Sequence, residues 1–508
     1  MGHLARWAAT QPGKIALHFP ETGETCTYAE LDRRANLATQ WLVGLGLQPD
    51  ETVALLCDNR PEFFEIAFAI RRAGLHYTPL SIHLRPREIA YVLQDSGAKA
   101  LIVSSALADL AQELVAEGAV GERLRFALGE GVPGYASYEA GLAAYTPAPL
   151  PVRPVGRVFL YSSGTTGLPK GIRRPVMPPE MHAAPEPDMH WKHWYGFDDS
   201  TVYLSPAPLY HAAPNAYCMR TLNEGGSVVV LKKFDATACL AAIAQYGVTH
   251  SQWVPTMFVR LLALPDAVRA QFNLSSHRCA IHAAAPCPVA VKRAMIAWWG
   301  PIIKEYYAGS ESVGTTVIDS ETWLRKPGSV GRPVNNVVLH ILHEDGSEAA
   351  PHEVGQIWFE GGPPFAYHNA SEKTATARNE KGWQSLGDLG SVDEEDFLFL
   401  SDRRADLILS GGVNIYPAEI EAALAQHPAV REVAVVGVPH PDFGEQVKAV
   451  VVPGEPASPA LAEALRDYAR QHLAGPKVPR LVEFVSELPR SEAGKLLRRM
   501  LKEQHRGG

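Results

Sequence analysis

From about residue 27 the chain switches repeatedly between two periods of apolar residues. Residues 53–57, a short continuous apolar run, read as a buried strand, and 77–80 and 99–103 read as a second and a third strand. Between them, residues 61–73 and 85–94 repeat apolar positions every three to four residues, as helices do. Thr27-Tyr28-Ala29-Glu30 reads as a capping box, opening a helix through about residue 45. Strand–helix alternation of this kind predicts an α/β fold with a mainly parallel, helix-covered sheet. The rhythm resumes from 201 to 307. Beyond 337 it becomes strand-rich: VVLHIL, QIWFE and FLFL, each bounded by Gly, Asp or Pro, predict a small barrel-like β portion. Residues 403–409 look like a boundary. After it come a helix at 417–425, strands at 433–438 and 448–452, a helix at 459–473 and a basic helix from near 495. The expected organisation is a large N-terminal domain, 1–402, and a small mobile α+β domain, 403–508. Residues 147–154 are proline-rich. Residues 175–199 carry many Pro, His and acidic residues with little periodicity, and read as a surface excursion.

One segment breaks the pattern in a chemically pointed way. Residues 161–171 read YSSGTTGLPKG, directly after the apolar run Val158-Phe159-Leu160. Glycines let several backbone N–H groups approach one ligand. Ser162, Ser163, Thr165 and Thr166 add short hydroxyl donors, and Lys170 adds a positive charge. Gly164 and Gly167 complete a cradle suited to polyphosphate oxygens. The spacing is not that of a Walker A loop. A flexible Ser/Thr/Gly linker would need neither the preceding strand, nor Pro169, nor the lysine.

Bulk properties narrow the classes. The chain has 508 residues, 46% hydrophobic, with a formal net charge of −8. No broad basic field is present to attract nucleic acid. Six scattered cysteines without a CxxC pair suggest neither a disulfide framework nor a zinc site. The start lacks the apolar core of a signal peptide, and no apolar run is long enough for an integral membrane segment. A cytoplasmic enzyme is expected, and a homodimer is compatible with the sequence.

Further motifs follow the loop in a fixed order: PLYHAAP (208–214), AAAPCP (283–288), YYAGSE (306–311), GDLG (387–390), DRRADLILSGGVNIYPAEIE (402–421) and PRSEAGKLLR (489–498). Over nearly its whole length the chain therefore resembles the adenylate-forming superfamily of acyl-CoA synthetases, acyl-adenylating domains and luciferases. The resemblance implies two steps. A carboxylate attacks the α-phosphate of ATP, giving acyl-adenylate and pyrophosphate; a thiol, usually of coenzyme A, then takes the acyl group and AMP leaves. It implies that Glu311, with Thr166, holds Mg2+. Ala283, Ala284 and Ala285 would form one wall of the adenine slot, with Tyr307 stacking on the base. Tyr306, Ala308, Gly309 and Ser310 belong to the same nucleotide motif, and Ser310 could contact the α-phosphate. Asp388 and Arg403 are implied at the ribose, and Lys495 between the attacking carboxylate and the α-phosphate. Gly411 and Gly412 would admit the pantetheine arm in a second pose of the small domain. His211 either lines the channel where acyl group meets thiol or is a core histidine satisfied by hydrogen bonds.

Two departures stand out. Ala405 occupies the hinge position, usually Asp or Lys, so the balance of poses must be set elsewhere. Arg173-Arg174 replaces a His-containing segment; phosphate contact and support of the following excursion both remain open. By resemblance, His211, Tyr217, Trp253, Met257, Ala283 and Val313 line the acyl pocket. With no Arg or Lys evident for a second carboxylate, the partner acid is expected to be bulky and hydrophobic: a medium or long fatty acid, an arylpropenoate or a cyclic acid. An acyl-AMP ligase loading a separate carrier protein and a luciferase-like oxygenase are the alternatives.

Overall fold

The computed structural model describes residues 3–121, 123–162, 169–183, 190–403, 406–410, 413–440, 443–473, 475–490 and 496–503. Two extended sheets dominate it. One has six strands, all paired in parallel, in the order Ala136–Ser137, Leu124–Leu128, Ala100–Ser104, Thr52–Leu56, His76–Leu80, Arg157–Val158. Every residue of the strands Ala100–Ser104, Thr52–Leu56 and His76–Leu80 is buried; the first two are apolar but for Ser104 and Thr52, whereas the third also buries His76 and Thr78.

The second sheet has thirteen strands. Its parallel half runs from Ile303–Ala308 through Cys279–His282, His250–Trp253, Val202–Ser205 and Ser227–Val230 to Ile15–Phe19. The strand-rich segment is not detached from it. Thr315–Asp319 and Ser329–Pro333 carry the sheet outward, and Leu398–Arg403, Asp388–Val392, Gly355–Glu360 and Val338–Leu342 follow, all antiparallel. A separate five-stranded sheet is built from Ile408–Ser410, Val413–Ile415, Val430–His440, Gly444–Pro453 and Leu481–Phe484, with helices Pro417–Leu424 and Pro459–His472.

Local expectations hold with adjustments. Thr27 Oγ1 accepts from the Glu30 amide at 3.2 Å and opens helix Tyr28–Gly44, while the Glu30 carboxylate turns to Arg33 and Arg34. The last helix starts at Arg498 rather than near 495. The excursion at 175–199 contains helix His190–Tyr195, whose Tyr195 is buried and whose carbonyl pairs with His250 Nε2 at 2.8 Å. Among the described residues no helix is long and apolar enough to cross a membrane.

Candidate functional site

The expected strand at 158–160 divides at the buried Phe159. Val158 ends the edge strand of the six-stranded sheet, and Leu160–Ser162 forms a hairpin with Lys170–Ile172. Ser163, Gly164, Thr165, Thr166 and Gly167 lie outside the described residues. The hairpin that carries them is tied down on two sides. The Tyr161 hydroxyl donates to Asp95 Oδ2 at 2.6 Å, and the Gly171 carbonyl accepts from the His368 amide at 2.8 Å. Ile172 forms a β-bridge with Tyr367.

Strand Ile303–Ala308 sorts the chemistry by the alternation of its side chains. Tyr306 faces Tyr217 at a ring distance of 6.2 Å and accepts from Gln252 Nε2 at 3.1 Å; burial pushes its phenol up to about 12. Tyr307 points the other way and donates to Asp388 Oδ2 at 2.6 Å. Asp388 is buried at the start of its strand, in register with the backbone of Arg403. The strand ends in a turn closed by Ser312 N to Gly309 O at 3.0 Å, with Ser312 at φ 56°, so that Ser310 and Glu311 occupy the middle of the turn. Gly309 is needed there: a Cβ would lie 2.7 Å from Glu311 Oε2 and 2.5 Å from Leu386.

Two residues outside the motifs converge on Glu311. The Tyr367 hydroxyl donates to Glu311 Oε1 at 2.7 Å, and Lys170 Nζ stands 4.9 Å from the Tyr367 ring centroid. Arg174 donates to the Glu311 carbonyl at 3.0 Å; burial lowers its guanidinium, and the Glu311 charge opposes that shift. Arg173 instead binds Asp50, at 2.6 Å to its carbonyl and 3.0 Å to its carboxylate. Arg174 thus reaches Glu311 and Arg173 reaches Asp50, neither of them part of the following excursion. Neither Tyr367 nor Arg174 could be found from local pattern, because each meets Glu311 only through tertiary folding. Replacing Tyr367 with Phe should release Oε1 and raise the Mg2+ concentration for half-maximal adenylation by about threefold to tenfold, the loss of a ~1 kcal/mol hydrogen bond to a charged group. A Mg2+ titration at fixed ATP checks this, and an unchanged midpoint with an unchanged rate would contradict it.

Glu311 could supply one hard oxygen ligand. Among the described residues no cluster of three or more His, Cys, Asp or Glu could cage a metal. That donor set fits Mg2+, which keeps several waters and takes substrate phosphates beside one or two carboxylates.

Ala283, Ala284 and Ala285 follow strand Cys279–His282 in a bend. Ala283 is buried, while Ala284 is exposed and held at φ 77°, a left-handed conformation that alanine rarely adopts. His211 precedes helix Ala212–Asn223. Its Nε2 is buried without a hydrogen-bond partner, and burial pushes its imidazole down to about 4. It is therefore neutral at physiological pH, and Nε2 is not the hydrogen-bonded nitrogen of an ordinary core histidine. The acyl candidates separate: Tyr217 packs with Tyr306, whereas Trp253 and Met257 join the apolar core on the other side with Phe258 and Leu261. Val313 is fully buried among Phe359 and Leu398. Lys495, Gly411, Gly412 and Ala405 lie outside the described residues, as does the Arg403 side chain.

Comparison with known proteins agrees with this geometry. The family model described as AMP-binding enzyme matches residues 4–365, and that described as AMP-binding enzyme C-terminal domain matches residues 419–495. A feruloyl-CoA synthase of Amycolatopsis sp is 35% identical over 487 residues, 94% of this chain and 93% of that protein. The fatty acid–[acyl-carrier-protein] ligase ScoC of Streptomyces coeruleorubidus is 31% identical, over 97% of this chain and 95% of its own length. The crystal structure of ATP-bound MatB from Rhodopseudomonas palustris superposes with a TM-score of 0.84 at 29% identity, covering 100% of this chain and 99% of that one.

Proposed function

The chain belongs to the AMP-binding enzyme family, the adenylate-forming acyl-CoA synthetases, and from that premise we propose that it joins a bulky hydrophobic carboxylic acid to coenzyme A through an acyl-adenylate. The observation that carries the reading is the opposite orientation of Tyr306 and Tyr307 on one strand, with Glu311 four residues after Tyr307. In this reading Tyr307 and the Ala283–Ala285 bend sandwich adenine, and Asp388, oriented by the Tyr307 hydroxyl, accepts from the ribose. Glu311, steadied by Tyr367, holds Mg2+, which when bound neutralises phosphate charge. Lys170 and the loop before it hold the β- and γ-phosphates, and Lys495 stabilises negative charge as the acid attacks the α-phosphate. Gly411 and Gly412 admit the thiol arm in the second step.

On the acyl side Tyr306 accepts from Gln252 and packs with Tyr217, which in turn packs with Tyr195. This aromatic lining favours a planar arylpropenoate over a flexible fatty chain. A pyrophosphate-exchange screen across acid classes, with and without CoA, tests the reading: arylpropenoates should give the highest rates, and AMP release should require CoA. The carrier-protein alternative has one specific support, the similarity to ScoC. It would be identified by adenylation without CoA-dependent AMP release.

A further inference from the structure

Three charged or ionisable side chains are buried behind the alanine bend, and the functional reading uses none of them. Lys292, in the first turns of helix Val289–Trp299, is completely buried. Its ammonium donates to Glu305 Oε2 and lies 4.7 Å from the Trp323 ring centroid. Glu305 is 5% exposed and sits two residues before Tyr307. His282, last residue of the neighbouring strand and Glu305's partner in register, has Nε2 at 3.5 Å from the same carboxylate oxygen. Neither His282 nitrogen has a hydrogen-bond partner, and burial holds the ring well below its usual range, hence neutral. Lys292 and Glu305 are thus each other's charge partner in a site of low dielectric.

Such a pair is poor evidence for stability, because desolvation offsets most of its attraction. Nor does the helix call for it: a cation near a helix N-terminus opposes the macrodipole. What the pair does geometrically is specific. It ties the helix that leaves the bend at Pro288 to the strand that carries Tyr307. The bend with Ala284 at φ 77° immediately precedes that helix and joins it to strand Cys279–His282, the parallel neighbour of the strand that carries Tyr307. Apolar contacts tolerate sliding, whereas an ammonium–carboxylate contact allows little.

We propose that Lys292 and Glu305 are positioning residues that set the spacing between the two walls of the adenine slot, the alanine bend and the Tyr307 ring. This rests on the adenine reading of those walls. The test uses the full-length protein and AMP, which carries adenine and ribose without the polyphosphate. Lys292→Met alone should lower the Tm, since it leaves Glu305 buried and unpaired. The double variant Lys292→Met/Glu305→Leu should recover most of that Tm. Its AMP dissociation constant, by calorimetry, should nevertheless rise about tenfold, the effect of a sub-ångström shift in a fitted site, with KM for the acid unchanged. Glu305→Asp, which keeps the charges but shortens the tie, should weaken AMP in the same direction. Wild-type AMP affinity in the double variant at recovered Tm would overturn the proposal, as would equal weakening of acid and nucleotide. Failure of the wild-type protein to bind AMP would instead refute the adenine reading itself.

Discussion

Replacing Lys495 with alanine is expected to lower the rate of acyl-adenylate formation by ~10²–10³-fold, the range seen when one preorganised electrostatic group is removed from a reacting oxyanion. Thioester formation from supplied acyl-adenylate should be nearly unchanged. The asymmetry follows from where charge moves. When the acid attacks the α-phosphate, negative charge shifts onto the oxygens between them, and a cation held there stabilises the transition state more than the ground state. In the second step the adenylate already exists, and attack comes from the thiol on the acyl carbon. The assignment rests on the flanking PRSEAGK and on the order of motifs before it. Lys170, whose ammonium lies over the Tyr367 ring, is in the proposed reading assigned to the outer phosphates. Pyrophosphate exchange reads the first step, and CoA-dependent consumption of purified acyl-adenylate reads the second. Comparable losses in both would remove Lys495 from a step-specific role.

What was legible in the sequence, and what was not, follows the range of the interactions. Strands at 53–57 and 99–103 were readable because burial on both faces makes most of their positions apolar, and 77–80 because it recurs in the same strand–helix rhythm. Ile15–Phe19 was not: its parallel partner, Ser227–Val230, lies some two hundred residues away, and nothing local signals the pairing. Glu311 was found because its neighbours Tyr306 to Ser310 make a contiguous motif. Tyr367 lies outside every motif, and Arg174, although it marks a departure, gives no sign of its partner; both reach Glu311 only through the fold. The acyl pocket shows a different limit. Trp253 seemed as good a candidate as Tyr217 by position, yet it is Gln252, one residue earlier, that faces Tyr306, because adjacent strand residues point to opposite faces. The Lys292–Glu305 pair spans only thirteen residues, but a helix and a strand separate its members and no periodicity links them.

Converting Glu311 to Gln should raise the Mg2+ concentration for half-maximal adenylation by about tenfold or more, equivalent to ~1.4 kcal/mol, and depress the rate even when Mg2+ is saturating. The substitution is nearly isosteric, and its amide oxygen can still accept from Tyr367, so the side chain should keep its place. The side chain also lies close to Gly309, where a Cβ would stand 2.7 Å from Oε2. What changes is charge: a neutral amide oxygen is a weaker ligand for a hard divalent cation than a carboxylate, and among the described residues Glu311 belongs to no cluster of three or more His, Cys, Asp or Glu. Affinity for AMP, which needs the adenine and ribose contacts but not the metal, should stay within about twofold of wild type. That contrast separates loss of the metal ligand from general damage to the turn. If the Mg2+ titration of the variant coincides with wild type, Glu311 is not the metal carboxylate, and its bond to Tyr367 serves only to fix the turn at 309–312.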